Sequence, residues 1–198
     1  MNKRIRLATE DDSEALLNIY GDYVKNTSIT FETEVPLPEV FRKRIAEVLE
    51  MFPWLLCEID GQVVGYAYAS KHRVRAAYQW SVDVSVYIHP DFHGKHIATA
   101  LYTALFQLLK LQGFYSVYAG VCLKNIKSTM FHQSFGFQPI GIYHNVGYKL
   151  GEWHDVQWNE LSLMDYSNPP MKPKTIQEIQ ASKEYREIMN SAIGIIRD

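Results

Sequence analysis

One segment, SVYIHPDFHGKHIATALYTALFQLLKLQGF (Ser85 to Phe114), constrains the fold more than any other. The alternating β-prone run SVDVSVYI stops at Pro90, which cannot donate to a sheet ladder. A short loop rich in His, Gly and Lys follows. Leu101, Leu105, Leu108 and Leu109 then recur at helical spacing, and Gly113 stands where a helix closes in the left-handed conformation. The next run, FYSVYAGVCL, is continuously β-prone and predicts a central strand.

The rest of the chain builds a sheet around this unit. KRIRLA predicts a first strand, and Thr9 with Asp12 marks the start of a helix carrying Ala15, Leu16, Ile19, Tyr20, Tyr23 and Val24. NTSITFETEVP reads as a loop or irregular strand, and Pro36 and Pro38 introduce a second helix through Phe41, Ile45 and Leu49. WLLCEI and QVVGYAYAS flank Asp60-Gly61, the pair that supplies positive φ to a tight hairpin. NIKSTMFHQSFGF predicts a short helix, and the stretch from Gln138 to Leu163 two strands around a Gly-rich turn. The order β-α-α-β-β-β-α-β-α-β-β describes a mixed α/β sheet. From Ser167 the composition changes, so a domain over 1–166 is expected to be followed by a Pro-rich linker and a helix over 167–198, opened by a Thr175/Glu178 capping box.

A formal charge of −2 argues against a dedicated nucleic-acid binder. No apolar run is long enough to span a membrane, and the opening MNKRIRLATEDD turns acidic where a signal peptide turns apolar. A cytoplasmic protein is expected, with Cys57 and Cys122 as buried free thiols rather than nucleophiles. His72, His93 and His96 have no fixed Cys or carboxylate partner, so no metal site is expected.

The loop between Pro90 and Ile97 invites a different ligand. Free N–H groups at a helix start, with the partial positive charge of the helix dipole, favour phosphate or pyrophosphate. Gly94 permits close backbone approach and Lys95 adds a cation. Neither a Walker loop nor a Rossmann fingerprint is present; on these residues alone a phosphate site and a plain αβ connection remain open.

His93-Gly94-Lys95-His96-Ile97-Ala98 resembles the Q/R-x-x-G-x-G/A signature of the GNAT superfamily of N-acetyltransferases, with His93 and His96 in place of the signature residues. SITFETE, PWLLCEIDGQVVGYAYAS, RVRAAYQWSVDVSVYIHP, ALYTALFQLLKLQGF, NIKSTMFHQSFGF and GYKLGEWHDVQW resemble, in order, the phosphinothricin and methionine-sulfoximine N-acetyltransferase branch, over residues 3–165. The resemblance implies a GNAT-type, mostly antiparallel sheet with a splayed central parallel strand pair, flanked by helices, and acetyl-CoA as co-substrate. Val86, Tyr87 and Ile88 would pair with the pantetheine arm, and His93, Gly94, Lys95, His96, Ile97, Ala98 and Thr99 would cradle the pyrophosphate. Asn125 would hydrogen-bond the coenzyme arm, although an Asn there is equally good as a helix N-cap.

Asp83, seven residues before Pro90, matches the position of the branch's catalytic Glu and would serve as base; His132 would donate a proton to the departing thiolate. A solvent-facing strand carboxylate and a satisfied core histidine are the competing readings. Arg73 and Arg75 match the branch's substrate-loop arginines and would grip an acceptor carboxylate, with Phe31, Glu32 and Tyr78 lining the pocket. The acceptor is expected to be a small amine bearing a carboxylate, and the assembly a homodimer. A non-catalytic acyl-CoA-binding module and an acetyltransferase for peptide or protein amines are the alternatives; a kinase-like phosphate binder lacks its Walker signature.

Overall fold

The computed structural model describes residues 1–166 and 169–197. Ser167 and Asn168, where the linker is expected to begin, lie outside the described residues.

Seven strands form one sheet: β1 (Lys3–Leu7), β2 (Trp54–Ile59), β3 (Gln62–Lys71), β4 (Ser81–Ile88), β5 (Ser116–Cys122), β6 (Gln138–Lys149) and β7 (Glu152–Ser162), in the spatial order β1-β2-β3-β4-β5-β7-β6. Every neighbouring pair is antiparallel except β4 and β5. Asp60 and Gly61 take φ of 50° and 85°, the positive values a two-residue β2–β3 turn requires. The β6–β7 hairpin turns through Leu150 and Gly151, also at positive φ.

Helix α3 (Ile97–Gln112) lies against the sheet, with Leu101, Leu105, Leu108 and Leu109 fully buried. Gly113 at φ 96° donates its N–H to Leu109 and Lys110, ending the helix as its position predicts. Helices α1 (Ser13–Asn26) and α2 (Pro38–Leu49) enclose a second core around Leu16, Phe41, Ile45, Trp54 and Tyr66. Of the two readings of the stretch from Thr27 to Leu37, loop or irregular strand, it is a loop without regular structure. Helix α4 (Ile126–Ser134) follows β5.

The single expected C-terminal helix is two: α5 (Ile176–Gln180) and α6 (Lys183–Ile193). The Thr175/Glu178 capping box starts the first, and Ser182 starts the second by accepting a hydrogen bond from the Tyr185 N–H, which breaks the run. Both helices lie against α3, and α6 also against β1; Ile176, Ile179, Met189, Ala192 and Ile196 are buried in the main core.

Candidate active site

The sheet opens where the parallel β4–β5 pairing stops. β4 and β5 pair at Ser81–Ser116, Val82–Val117 and Asp83–Tyr118, and no further. Beyond Asp83 the two strands diverge into a notch with the carboxylate at its apex. Antiparallel pairing uses alternate residues. His89 donates to the Val64 carbonyl across β3, so in the same register Tyr87 and Ser85 face β3, while Val86 turns its amide toward the notch and the Ile88 N–H donates to the Tyr23 hydroxyl at 3.4 Å. The expected strand-like surface of Val86, Tyr87 and Ile88 is therefore narrower: the backbone of Tyr87 is engaged with Tyr66. The Ile88 carbonyl also has partners, accepting from the Tyr23 hydroxyl at 2.6 Å and lying 3.1 Å from His93 Nε2.

Past the end of β4, a single 3-10 turn at Pro90–Phe92 leads into the loop. Gly94 sits at φ 81° and His96 at φ 60°, both left-handed. No backbone N–H from Gly94 to Thr99 donates to another group among the described residues. That is the donor-rich corner the helix start predicts. His96 is the N-cap and accepts from the Ala100 N–H with its carbonyl. Lys95 and His96 are half-buried, and the Lys95 carbonyl accepts from the Arg197 N–H at 2.9 Å.

Asp83 does not stand alone. His72, diagonal to it across β3–β4, places Nδ1 2.7 Å from Asp83 Oδ1. Burial pushes the Asp83 carboxyl above the usual carboxylate range; the His72 hydrogen bond and the charges of His72 and Arg73 act against that shift. The His72 ring stacks on Tyr118 with centroids 4.3 Å apart and meets Tyr78 and Trp158 edge-on. Arg73 donates to the His72 carbonyl and lies over the Trp158 ring.

Two adjoining hollows share Tyr143 and Trp158. One, of about 260 Å³, is lined by His72, Arg73, Tyr118 and Gly141 as well; the other, of about 360 Å³, by Phe31, Gly120, Cys122 and Val156. The two arginines separate. Arg73 borders both the His72 hollow and a cavity of about 560 Å³ on the far side of the β3–β4 connection, whereas Arg75 and Tyr78 line only the latter. Phe31 lines the second hollow, its ring against Gly147 of β6, where a Cβ would collide with it. Glu32 is ion-paired with Arg44 at 2.7 Å rather than directed at the notch.

His132 is buried, with Nδ1 2.8 Å from the Ser128 carbonyl and Nε2 3.3 Å from the Tyr102 hydroxyl. Burial lowers its pKa and favours the neutral ring. Both nitrogens have partners, one within α4 and one on α3. Asn125 caps α4, its side-chain oxygen accepting from the Ser128 N–H. Cys57 is pushed up to about 12 by burial, as a core thiol. Among the described residues no group of three or more His, Cys, Asp or Glu is arranged for a metal ion.

The sequence singled out Asp83 and Arg73 but missed His72 as the partner of Asp83, along with Tyr118, Tyr143 and Trp158. Lys71 pairs with Val82, which puts His72 on the face of Asp83. That register depends on the irregular connection between the strands, which spacing does not reveal.

The family model for the acetyltransferase (GNAT) domain matches residues 5–158. A phosphinothricin N-acetyltransferase of Streptomyces viridochromogenes is 33% identical over 172 residues, covering 86% of this chain and 94% of that protein. The L-methionine sulfoximine/L-methionine sulfone acetyltransferase of Salmonella typhimurium is 30% identical, covering 83% and 97%. A phosphinothricin acetyltransferase of Sinorhizobium meliloti, solved with acetyl-CoA, superposes with a TM-score of 0.81 at 27% identity, covering 89% and 99%.

Proposed function

Because the chain belongs to the GNAT acetyltransferase family, we propose that it moves an acetyl group from acetyl-CoA to the primary amine of a small, carboxylate-bearing amino acid or analogue. The observation that carries this reading is the end of β4–β5 pairing at Asp83 and Tyr118, which opens a notch between a carboxylate and a corner of unused backbone donors. The pyrophosphate of the coenzyme would rest on the amides of Gly94 to Thr99, where backbone donors and the helix dipole act together. His93, His96 and Ala98 supply backbone there, so their side chains leave the donors in place. The amide of Val86 would meet the pantetheine arm and polarise the thioester carbonyl, with Ile88 joining it once its N–H leaves the Tyr23 hydroxyl. Asn125 would reach the same arm while capping α4.

The acceptor would lie in the hollow of Arg73, Trp158 and Tyr143. An α-amino acid carries its ammonium and carboxylate on one carbon, so a proton acceptor and a guanidinium must adjoin; Asp83 with His72, and Arg73, meet that requirement. Arg75, Tyr78 and Glu32 would act from outside this hollow, and Phe31 would wall the adjoining one that shares Tyr143 and Trp158. His132 is proposed as a proton donor only in concert with the Tyr102 hydroxyl to which it is linked. We place the protein in the cytoplasm, where acetyl-CoA and reduced thiols occur together.

The test is thiol release from acetyl-CoA across a panel of amino acids, their sulfoximine and phosphinic analogues, and short peptides. Turnover is expected on one or more free amino-acid-like amines. Coenzyme binding without turnover on any amine would leave a binding module, and preference for peptides would move the acceptor class.

A further inference from the structure

We propose that His72, oriented by Asp83, is the group that takes the proton from the acceptor's ammonium, so that the base is an Asp–His pair. This rests on the acetyl-transfer reading above.

A carboxylate only accepts hydrogen bonds, so with Asp83 ionised the 2.7 Å contact places the hydrogen on His72 Nδ1. The opposite nitrogen, Nε2, then carries the lone pair. No group among the described residues is hydrogen-bonded to it. The ring cannot swing freely: it is stacked on Tyr118 and edged by Tyr78 and Trp158. It lines the same hollow as Arg73, the residue proposed to hold the acceptor's carboxylate, and Asp83 does not. The charged neighbours are Arg73 on the ring's own connection, Asp83 on β4, and Glu160 on β7, which accepts from the Tyr118 hydroxyl at 2.9 Å. Imidazole as a side-chain type exchanges protons near neutral pH, and a carboxylate well below it, so the ring suits the removal of an ammonium proton better. Asp83 is also a methylene shorter than Glu, and the imidazole extends its reach.

The step balances without another reactant. His72 Nε2 takes one proton from R–NH3+, giving imidazolium and R–NH2. The nitrogen lone pair forms a C–N bond to the thioester carbonyl, the C–S bond breaks, and the thiolate leaves with that electron pair. The second N–H proton passes to the thiolate, giving the amide and CoA thiol, and the imidazolium returns its proton to solvent. Asp83 stays ionised as a positioning residue, stabilising the imidazolium.

The test uses His72→Phe, which keeps the stack on Tyr118, and the double variant His72→Phe/Asp83→Glu. In His72→Phe, kcat/KM should fall about 100-fold or more, the loss typical of a missing general base. Acetyl-CoA affinity should stay within twofold, and the break of the pH–rate profile in the imidazole range should vanish. The double variant, whose longer carboxylate reaches the acceptor directly, should regain at least tenfold over His72→Phe. Wild-type turnover with His72→Phe within threefold, or with the pH break unchanged, overturns the pair. Failure of the wild type on every amine is a separate result that overturns the acetyl-transfer reading itself.

Discussion

His96 carries backbone strain at the front of α3. A side chain in the left-handed region costs roughly 1 kcal/mol, because its Cβ crowds the following carbonyl. Glycine removes that crowding but gives back part of the gain as freedom in the unfolded chain. His96→Gly is therefore expected to raise Tm by about 1–3 °C, measured by scanning calorimetry; a lower Tm would mean that the imidazole makes a stabilising contact. Asp83 is a second cost to the fold. Its carboxyl is raised from 3.8 chiefly by burial, so its contribution is full below that value and is lost as pH rises through the raised folded value. At neutral pH the charge is a cost to the fold. Asp83→Asn, which still accepts from His72, should match or exceed the wild-type Tm at pH 7, and the two should converge near pH 4. Its activity should fall sharply, the exchange of stability for function common at active sites.

Within the elements, two contacts tie secondary structure to the site. The first is Phe31 on Gly147. The ring of a residue in an irregular loop occupies the place a Cβ on β6 would take. Gly147→Ala should displace the ring, raising the acceptor KM about tenfold by the loss of roughly 1.4 kcal/mol of binding. Acetyl-CoA affinity should not change, and steady-state kinetics in both substrates reads the difference. The second is His132 in α4. Its folded pKa is lowered from 6.5 by burial, so its stabilisation is present above that value and is lost as pH falls through the lowered folded value. The wild-type Tm should decline from pH 7 to pH 5, and His132→Gln should flatten that slope; an unchanged slope would assign the decline elsewhere.

Across the whole molecule, the tail extends beyond the matched domain, and β6 within it leaves a sheet edge open. Residues 176–197 bury Ile176, Ile179, Met189 and Ile196 against the core, each worth about 1.5–3 kcal/mol. The Arg197 N–H also holds the Lys95 carbonyl, inside the proposed pyrophosphate corner. Truncation after residue 166 should lower Tm by more than about 10 °C and weaken acetyl-CoA binding. At the other end, β6 is an edge strand with Ile140, Ile142, Tyr143, Val146 and Tyr148 exposed. An unpaired, apolar edge favours association with a second copy. Light scattering should give twice the 22.9 kDa chain mass, and Ile142→Glu should shift it toward the monomer.

The sequence by itself determined the elements whose cause is local. Asp60-Gly61 and Gly113 supply positive φ, Pro90 ends a ladder, and the α3 leucines recur at 3.6-residue spacing, so each is readable from its neighbours in the chain. The resemblance across several ordered segments also pointed to the family. Only the tertiary structure decided which strand amides face the notch, that Arg73 and Arg75 border different cavities, that Ser182 divides the tail helix, and that His72 rests on Asp83. Those facts depend on strand register, helix packing and the path of an irregular connection. Register is set by contacts between segments distant in sequence, and a shift of one residue turns every side chain of a strand to the other face.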